Sequence, residues 1–219
     1  SRLRVTDAEG EELVASMEVL SEDLLALRVQ DEGAPYPLRI DPTFSDANWV
    51  SMNPTIPGPL QAVYTTAADG LGNLYIGGEF TMVGTMDANY IAKWDGSNWT
   101  TMSSGMNGYV YALTMLGADL YAGGSFSTAG GITVNQIAKW DGSSWSALGT
   151  GVGGTWPSSV HALTVVGTDL IAGGAFTTAG VVIVNRIAQW NGSSWSALGS
   201  GFDNTVRALT VSGTNLLVG

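Results

Sequence analysis

The sequence predicts an all-β chain of repeated four-stranded sheets, and three observations carry that prediction. A glycine doublet recurs as Gly77/Gly78, Gly123/Gly124 and Gly173/Gly174, followed sixteen residues later by Trp94, Trp140 and Trp190, and five residues after those by Trp99, Trp145 and Trp195. Turn signals, Asp-Gly twice and Asn-Gly once, separate the two tryptophans of each pair. The helical period is absent from the whole repeated stretch, and what replaces it is short apolar runs broken by glycine, serine and aspartate.

Residues 1–46 come first and differ in character from the rest. They hold eleven acidic residues against four arginines, a net of −7 out of the −11 of the whole chain, which sets a boundary near Asp46. Strand-like runs (LRV, ELVASMEVL, LLALRV, YPLRI) alternate with acidic or glycine-bearing turns, so the segment reads as a small β module. A helix over Glu11 to Leu27 is the competing reading, because Glu, Leu, Ala and Met favour helix where packing does not decide.

From residue 47 onward the repeat governs. The second tryptophans follow the earlier Trp49 at spacings of 50, 46 and 50 residues, a period that suits propellers or arrays. In the second copy, Val110 to Met115, Leu120 to Ala122, Ile137 to Trp140 and Trp145 to Leu148 give four short strands. Four strands per period make a propeller blade, a small twisted sheet that buries both faces against its neighbours. The doublet lets strands approach where a Cβ would clash, and all six tryptophans of the copies are expected in the core. A fourth copy begins at Val206 and reaches Gly219 in mid-blade, which favours a piece of a longer protein; a ring shared between chains and an open stacked array are the alternatives.

The copies LYIGGEF…YIAKWDGSNW, LYAGGSF…QIAKWDGSSW and LIAGGAF…RIAQWNGSSW resemble the kelch repeat, with tryptophan in place of the usual tyrosine of the third strand. They also resemble repeats of secreted bacterial surface proteins, as does the segment GAPYPLRIDP from Gly33 to Pro42. The resemblance implies a kelch-like propeller on a bacterial, secreted or cell-surface protein. Kelch-built copper-radical oxidases use histidine and cysteine ligands, which this chain does not supply.

Composition narrows the function classes. With no cysteine, disulfides, thiol nucleophiles and thiolate metal sites are excluded. Eight basic residues against 19 acidic ones, scattered singly, form no patch for phosphates, so nucleic acid is not an expected partner. No apolar run approaches 18 residues, so no membrane insertion is expected. Any basic and apolar leader is expected to have been removed or to lie upstream, and the Ser/Thr/Gly/Asn-rich loops suit an extracellular or cell-surface location.

No catalytic set is expected. The only histidine, His161, is equivalent to Tyr111 and Arg207 in neighbouring copies, so the position varies; these three either line a central channel or are plain solvent-facing residues. Of the eight acidic residues in the repeats, Asp95, Asp141, Asp119 and Asp169 are read as turn formers, leaving Glu79 and Asp87 as the best of a poor carboxylate set. No cofactor or metal is expected, and the acidic turns Asp7 to Glu12 and Asp69 to Asn73 lack the spacing of a known calcium loop.

A binding module remains. The loop from second to third strand and the linker between units emerge on one face, and Asn89, Asn135 and Asn185 recur there as scaffold. Ligand contacts are expected where copies differ at equal scaffold position: Tyr90, Gln136 and Arg186 beside the asparagines, and Tyr109, Trp156 and Phe202 in the linkers. The expected function is non-enzymatic adhesion or protein or glycan interaction through those loops. A structural component of a surface sheath, filament or larger complex, formed by self-assembly, is the alternative, and a polysaccharide-active enzyme the third.

Overall fold

The computed structural model describes residues 2–21, 24–30, 32–33, 35, 39–43, 58–154 and 157–219. The chain divides into two compact units, Ser1–Pro54 and Thr55–Gly219. Both this division and the boundary expected near Asp46 fall outside the described residues.

The first unit contains β1 (Arg2–Thr6), β2 (Glu12–Leu13), β3 (Ala15–Ser21), β4 (Leu24–Val29) and β5 (Arg39–Thr43). β1 pairs antiparallel with β2 and β5, and β3 pairs with β4, so the described part of Glu11 to Leu27 is strand rather than helix. The β1–β2 turn is closed by Asp7, whose Oδ1 accepts N–H bonds from Glu9 and Glu11, each at 2.9 Å. That carboxylate serves its own turn.

The second unit holds three four-stranded antiparallel sheets of one design. The first runs through β6 (Val63–Ala68), β7 (Leu74–Gly78), β10 (Ile91–Trp94) and β11 (Trp99–Thr101), with the hairpin β8 (Met82–Val83) and β9 (Met86–Asp87) between second and third strands. The next repeats this as β12 (Tyr109–Leu116), β13 (Asp119–Ser125), β14 (Thr128–Ala129), β15 (Ile132–Thr133), β16 (Ile137–Trp140) and β17 (Trp145–Ala147). After a short β18 (Val152–Gly153), the third comprises β19 (Ser159–Val166), β20 (Asp169–Ala175), β21 (Thr178–Ala179), β22 (Val182–Ile183), β23 (Ile187–Trp190) and β24 (Trp195–Ala197). A hairpin of β25 (Leu209–Ser212) and β26 (Asn215–Val218) follows. Strand order in each sheet is sequential, and the first strands β6, β12, β19 and β25 pack against one another in succession. Among the described residues there is no helix. None is therefore long and apolar enough to cross a membrane.

The doublet has two separate physical causes. A Cβ on its first glycine would meet the next unit: at Gly77, Gly123 and Gly173 it would lie 2.5 Å from Cγ1 of Val110, Val160 and Val206. A Cβ on its second glycine would strike the backbone at the start of the unit's own first strand, at the carbonyl oxygens of Ala62, just before β6, and of Tyr109 and Ser159. The first glycine is thus a notch for the neighbour's valine, and the second permits close backbone approach. Val110, Val160 and Val206 are buried in consequence.

The tryptophans face each other across the third and fourth strands, in the pairs Trp94–Trp99, Trp140–Trp145 and Trp190–Trp195, with ring centroids 5.2–5.3 Å apart and tilted by 52–54°. The indole N–H of Trp145 donates to the Met102 carbonyl at 3.0 Å and that of Trp195 to Leu148 at 2.8 Å, tying each sheet to the end of the preceding one. Five of the six are buried; Trp99 is half-buried, a departure from the expectation that all are core. The turns between them use Asp95, Asp141 and Asn191, whose Oδ1 atoms each accept two N–H bonds two and three residues on. These bonds hold the Asp95 and Asp141 carboxyls below the ordinary carboxylate range. Asp119 and Asp169 are not turn formers of this kind: they open the second strand, where Asp119 pairs with Lys139 at 2.9 Å and Asp169 accepts from the Gln189 amide.

Candidate functional site

Two sets of residues occupy repeated backbone positions with unlike side chains, and both are prepared by constant neighbours. The first set lies where the hairpin between second and third strands meets the linker between units. The side-chain amides of Asn89, Asn135 and Asn185 donate to the carbonyls of Ser104, Thr150 and Ser200 at 3.0, 2.8 and 2.7 Å. Their own carbonyls accept from the backbone N–H of Met106, Val152 and Phe202. A Cβ on Gly105, Gly151 or Gly201 would collide with this staple, and all three have positive φ, of 70°, 77° and 69°. The linker then joins the hairpin as a third strand, fully so in the order β18–β21–β22 and as single bridges at Pro59↔Val83 and Met106↔Ala129.

The residues after the staples, Tyr90, Gln136 and Arg186, are held in the left-handed region at φ 71°, 66° and 65°. For side chains of this size that conformation is an outlier that the surroundings must enforce, and such outliers concentrate at binding and switch sites. Gln136 lines a cavity of about 260 Å³ together with Asn107, Ser125, Phe126, Ser127, Pro157 and Ser158. With its amide nitrogen turned inward, Gln136 donates to the carbonyls of Asn135 and Val152 at 3.2 and 2.5 Å. Asn107 fixes the opposite wall by accepting from the backbone N–H of Ser127 and Thr128 and donating to the Ser127 hydroxyl.

The second set runs along the first strands. Each carries a β-bulge, between Val63 and Thr65, Val110 and Ala112, and Val160 and Ala162, so Tyr64, Tyr111 and His161 lack a partner in the second strand. A bulge re-aims the side chain it frees. Arg207 follows Val206 in the same way, and the backbone N–H groups of Arg207 and Ala208 both donate to the Gly219 carbonyl. The freed side chains form a row: the Tyr64 and Tyr111 rings lie 5.8 Å apart and tilted, and Tyr111 stacks on His161 at 5.2 Å and 18°. Tyr109 joins Tyr111 at 6.2 Å and meets Tyr90 edge-on at 5.8 Å.

Charge is confined to the two ends of this row. The Tyr64 hydroxyl donates to Glu79 Oε2 at 2.5 Å, and this bond to a carboxylate pushes the phenol up to about 12. Burial, then the nearby Arg207 cation, hold His161 below its ordinary value of 6.5, so the ring is neutral at physiological pH. Its Nε2 lies 3.0 Å from the Ser159 hydroxyl. This pair resembles a nucleophile with its base only superficially, since Ser159 is buried and the cation beside the imidazole opposes the imidazolium that general-base catalysis requires.

Of the residues singled out in the sequence, Tyr90 and Tyr109 are brought into contact, and Tyr109 begins β12 rather than lying in a linker. Gln136 belongs to the neighbouring cavity. Phe202 is exposed and bound through its backbone to the Asn185 staple, beside Arg186. Trp156 lies outside the described residues. Glu79 turns to Tyr64, while Asp87 is exposed in β9. Tyr64 was legible in principle, since Val63-Tyr64-Thr65 repeats the frame of Val110-Tyr111-Ala112.

No family model matches the chain, and no curated protein does either. Solved structures share the fold. The computationally designed Ika4 protein matches with a TM-score of 0.50 and 17% identity, over 75% of this chain and 89% of that one. The extracellular domain of BT4673 from B. thetaiotaomicron, described as a one component system, matches with a TM-score of 0.51 and 14% identity over 100% of this chain. This chain spans 31% of the length of that domain's chain.

Proposed function

We propose that the repeated sheets are blades of a kelch-like propeller and that the chain is a non-enzymatic binding module of an extracellular or cell-surface protein, acting in adhesion or in recognition of protein or glycan. The observation that carries this reading is the constancy of the frame against the variety of what it presents. The same asparagine staple and left-handed turn hold tyrosine in one unit, glutamine in the next and arginine in the third. A scaffold that fixes backbone positions while side chains change is how loop-borne recognition surfaces are built. An extracellular setting accords with the polar loops and with an extracellular domain among the structures of similar fold.

The test is binding of the labelled chain to arrays of extracellular proteins and of glycans, beside a triple variant Tyr90→Ser, Gln136→Ser, Arg186→Ser. The reading expects a ligand on one array whose binding falls at least about tenfold in the variant. A chain that binds nothing on either array, or a variant that binds undiminished, contradicts it.

The self-assembly alternative has one specific observation in its favour. The packing of valine into the preceding unit's glycine notch is a contact repeated from unit to unit, and Val63, equivalent to Val110, is 39% exposed.

A further inference from the structure

We infer that the ring row on the first strands, Tyr64, Tyr109, Tyr111 and His161 with Glu79 and Arg207 at its ends, is a platform for an uncharged saccharide whose sugar rings stack on the aromatic faces. The inference rests on the binding-module reading and gives it a ligand class and a second set of contact residues, which Tyr90 joins to the loop face through its edge-on contact with Tyr109. Its first support is placement. Bulges at equivalent positions of successive first strands free one side chain per unit, and the freed side chains touch in series at ring separations of 5.2–5.8 Å. Its second is exposure: Tyr64 and Tyr109 keep 47% and 44% of their surface in solvent although each has aromatic neighbours to hide against.

Shape and charge then select the ligand. The row is a series of adjoining rings of which Tyr64 and Tyr109 are exposed, whereas a protein hot spot or a helical peptide needs a closed pocket or a groove for its anchors. The C–H face of a sugar ring suits the negative face of an aromatic ring, and its hydroxyls suit donors and acceptors at the margin. Glu79 and the Tyr64 hydroxyl supply such groups at one end and Arg207 at the other. One acid and one cation at opposite ends leave the row without net charge, while the chain as a whole, at −11, repels polyanions. A neutral glycan therefore fits better than an acidic one.

The experiment uses the full chain on an array of neutral hexose and N-acetylhexosamine oligosaccharides, with sulfated and uronic-acid glycans printed beside them. Tyr64→Ala and Tyr109→Ala, both at exposed positions, are compared with Tyr109→Phe, which keeps the ring, and with Phe202→Ala and Arg186→Ala on the loop face; circular dichroism checks that each is folded. The expected result is binding to at least one neutral glycan, reduced about tenfold or more by each alanine in the row and within about threefold of wild type in Tyr109→Phe. Three results overturn the inference: no neutral glycan bound, binding to acidic glycans alone, or neutral-glycan binding that survives Tyr64→Ala and Tyr109→Ala. Loss of binding confined to Phe202→Ala and Arg186→Ala, or a protein ligand with no glycan bound, overturns it while leaving the binding-module reading intact.

Discussion

Val110 and Tyr111 are adjacent in one strand and obey different rules. The valine recurs in every unit, as Val63, Val110, Val160 and Val206, and three of these fill the notch left by the preceding glycine. The next residue is Tyr64, Tyr111, His161 or Arg207, and in the first three units a bulge releases it from the ladder. Repetition in this chain marks interlocking: residues recur where their shape is matched by another unit and vary where the backbone turns the side chain out. The tryptophan pairs and asparagine staples belong with the valine; Tyr90, Gln136 and Arg186 belong with the bulge.

The largest effect expected from breaking this contrast is at the doublet. Gly124→Ala drives a methyl onto the Tyr109 carbonyl and the Phe126 ring, neither of which can retreat, and is expected to cost about 3 kcal/mol in urea unfolding. Gly123→Ala meets only side chains, Cγ1 of Val160 and Cδ1 of Leu163, and is expected to cost about 2 kcal/mol. Combining it with Val160→Ala should recover part of the loss, because the methyl then fills space the valine has left; strict additivity would show that the notch is not a shared contact.

A smaller effect is expected at the staple. Asn135→Ala removes the amide donor to the Thr150 carbonyl, and should cost about 1 kcal/mol while raising hydrogen exchange at the Val152 amide, whose acceptor is the Asn135 carbonyl. Unchanged protection at Val152 would mean that the linker is held without the asparagine.

The smallest effect is a pH dependence. Because the folded protein keeps the His161 pKa below 6.5, the unfolded chain takes up that proton first as pH falls. The contribution of neutral His161 is complete above 6.5 and is lost as pH drops towards the lower folded value. His161→Tyr, which installs the residue of the preceding unit, should flatten this part of the stability curve; denaturant midpoints at pH 7.5 and 5 that shift in parallel for both proteins would refute the sign.

The same contrast explains what the sequence disclosed. Doublets, tryptophans, turn residues and asparagines were legible because interlocking shapes leave repeated letters, and the third strands Ile137–Trp140 and Ile187–Trp190 lie where the pattern puts them. The hairpins β8–β9, β14–β15 and β21–β22 were missed because two-residue strands carry no period, although Gly84, Gly130 and Gly180, at φ 56–59°, marked their turns. The bulge left one trace, the adjacent buried Ala112 and Leu113 that break the alternation of β12. Asp119 was misread because a carboxylate after Gly-Ala resembles a turn former, while the partner that claims it, Lys139, stands 20 residues on, in the strand β16 that pairs with β13. Trp99, at an equal position to Trp145 and Trp195, differs in burial, and that is a property of neighbours rather than of spacing.

Calorimetry of wild type, Gly123→Ala and Tyr64→Ala tests the division between interlocking and presented residues most directly. A single methyl added at the notch should lower Tm by about 4–8 °C, whereas deleting the whole exposed ring of Tyr64 should change it by less than about 2 °C. A Tyr64→Ala drop as large as that of Gly123→Ala would show that the row holds the sheets together, and that its variety from unit to unit is not a sign of presentation to a ligand.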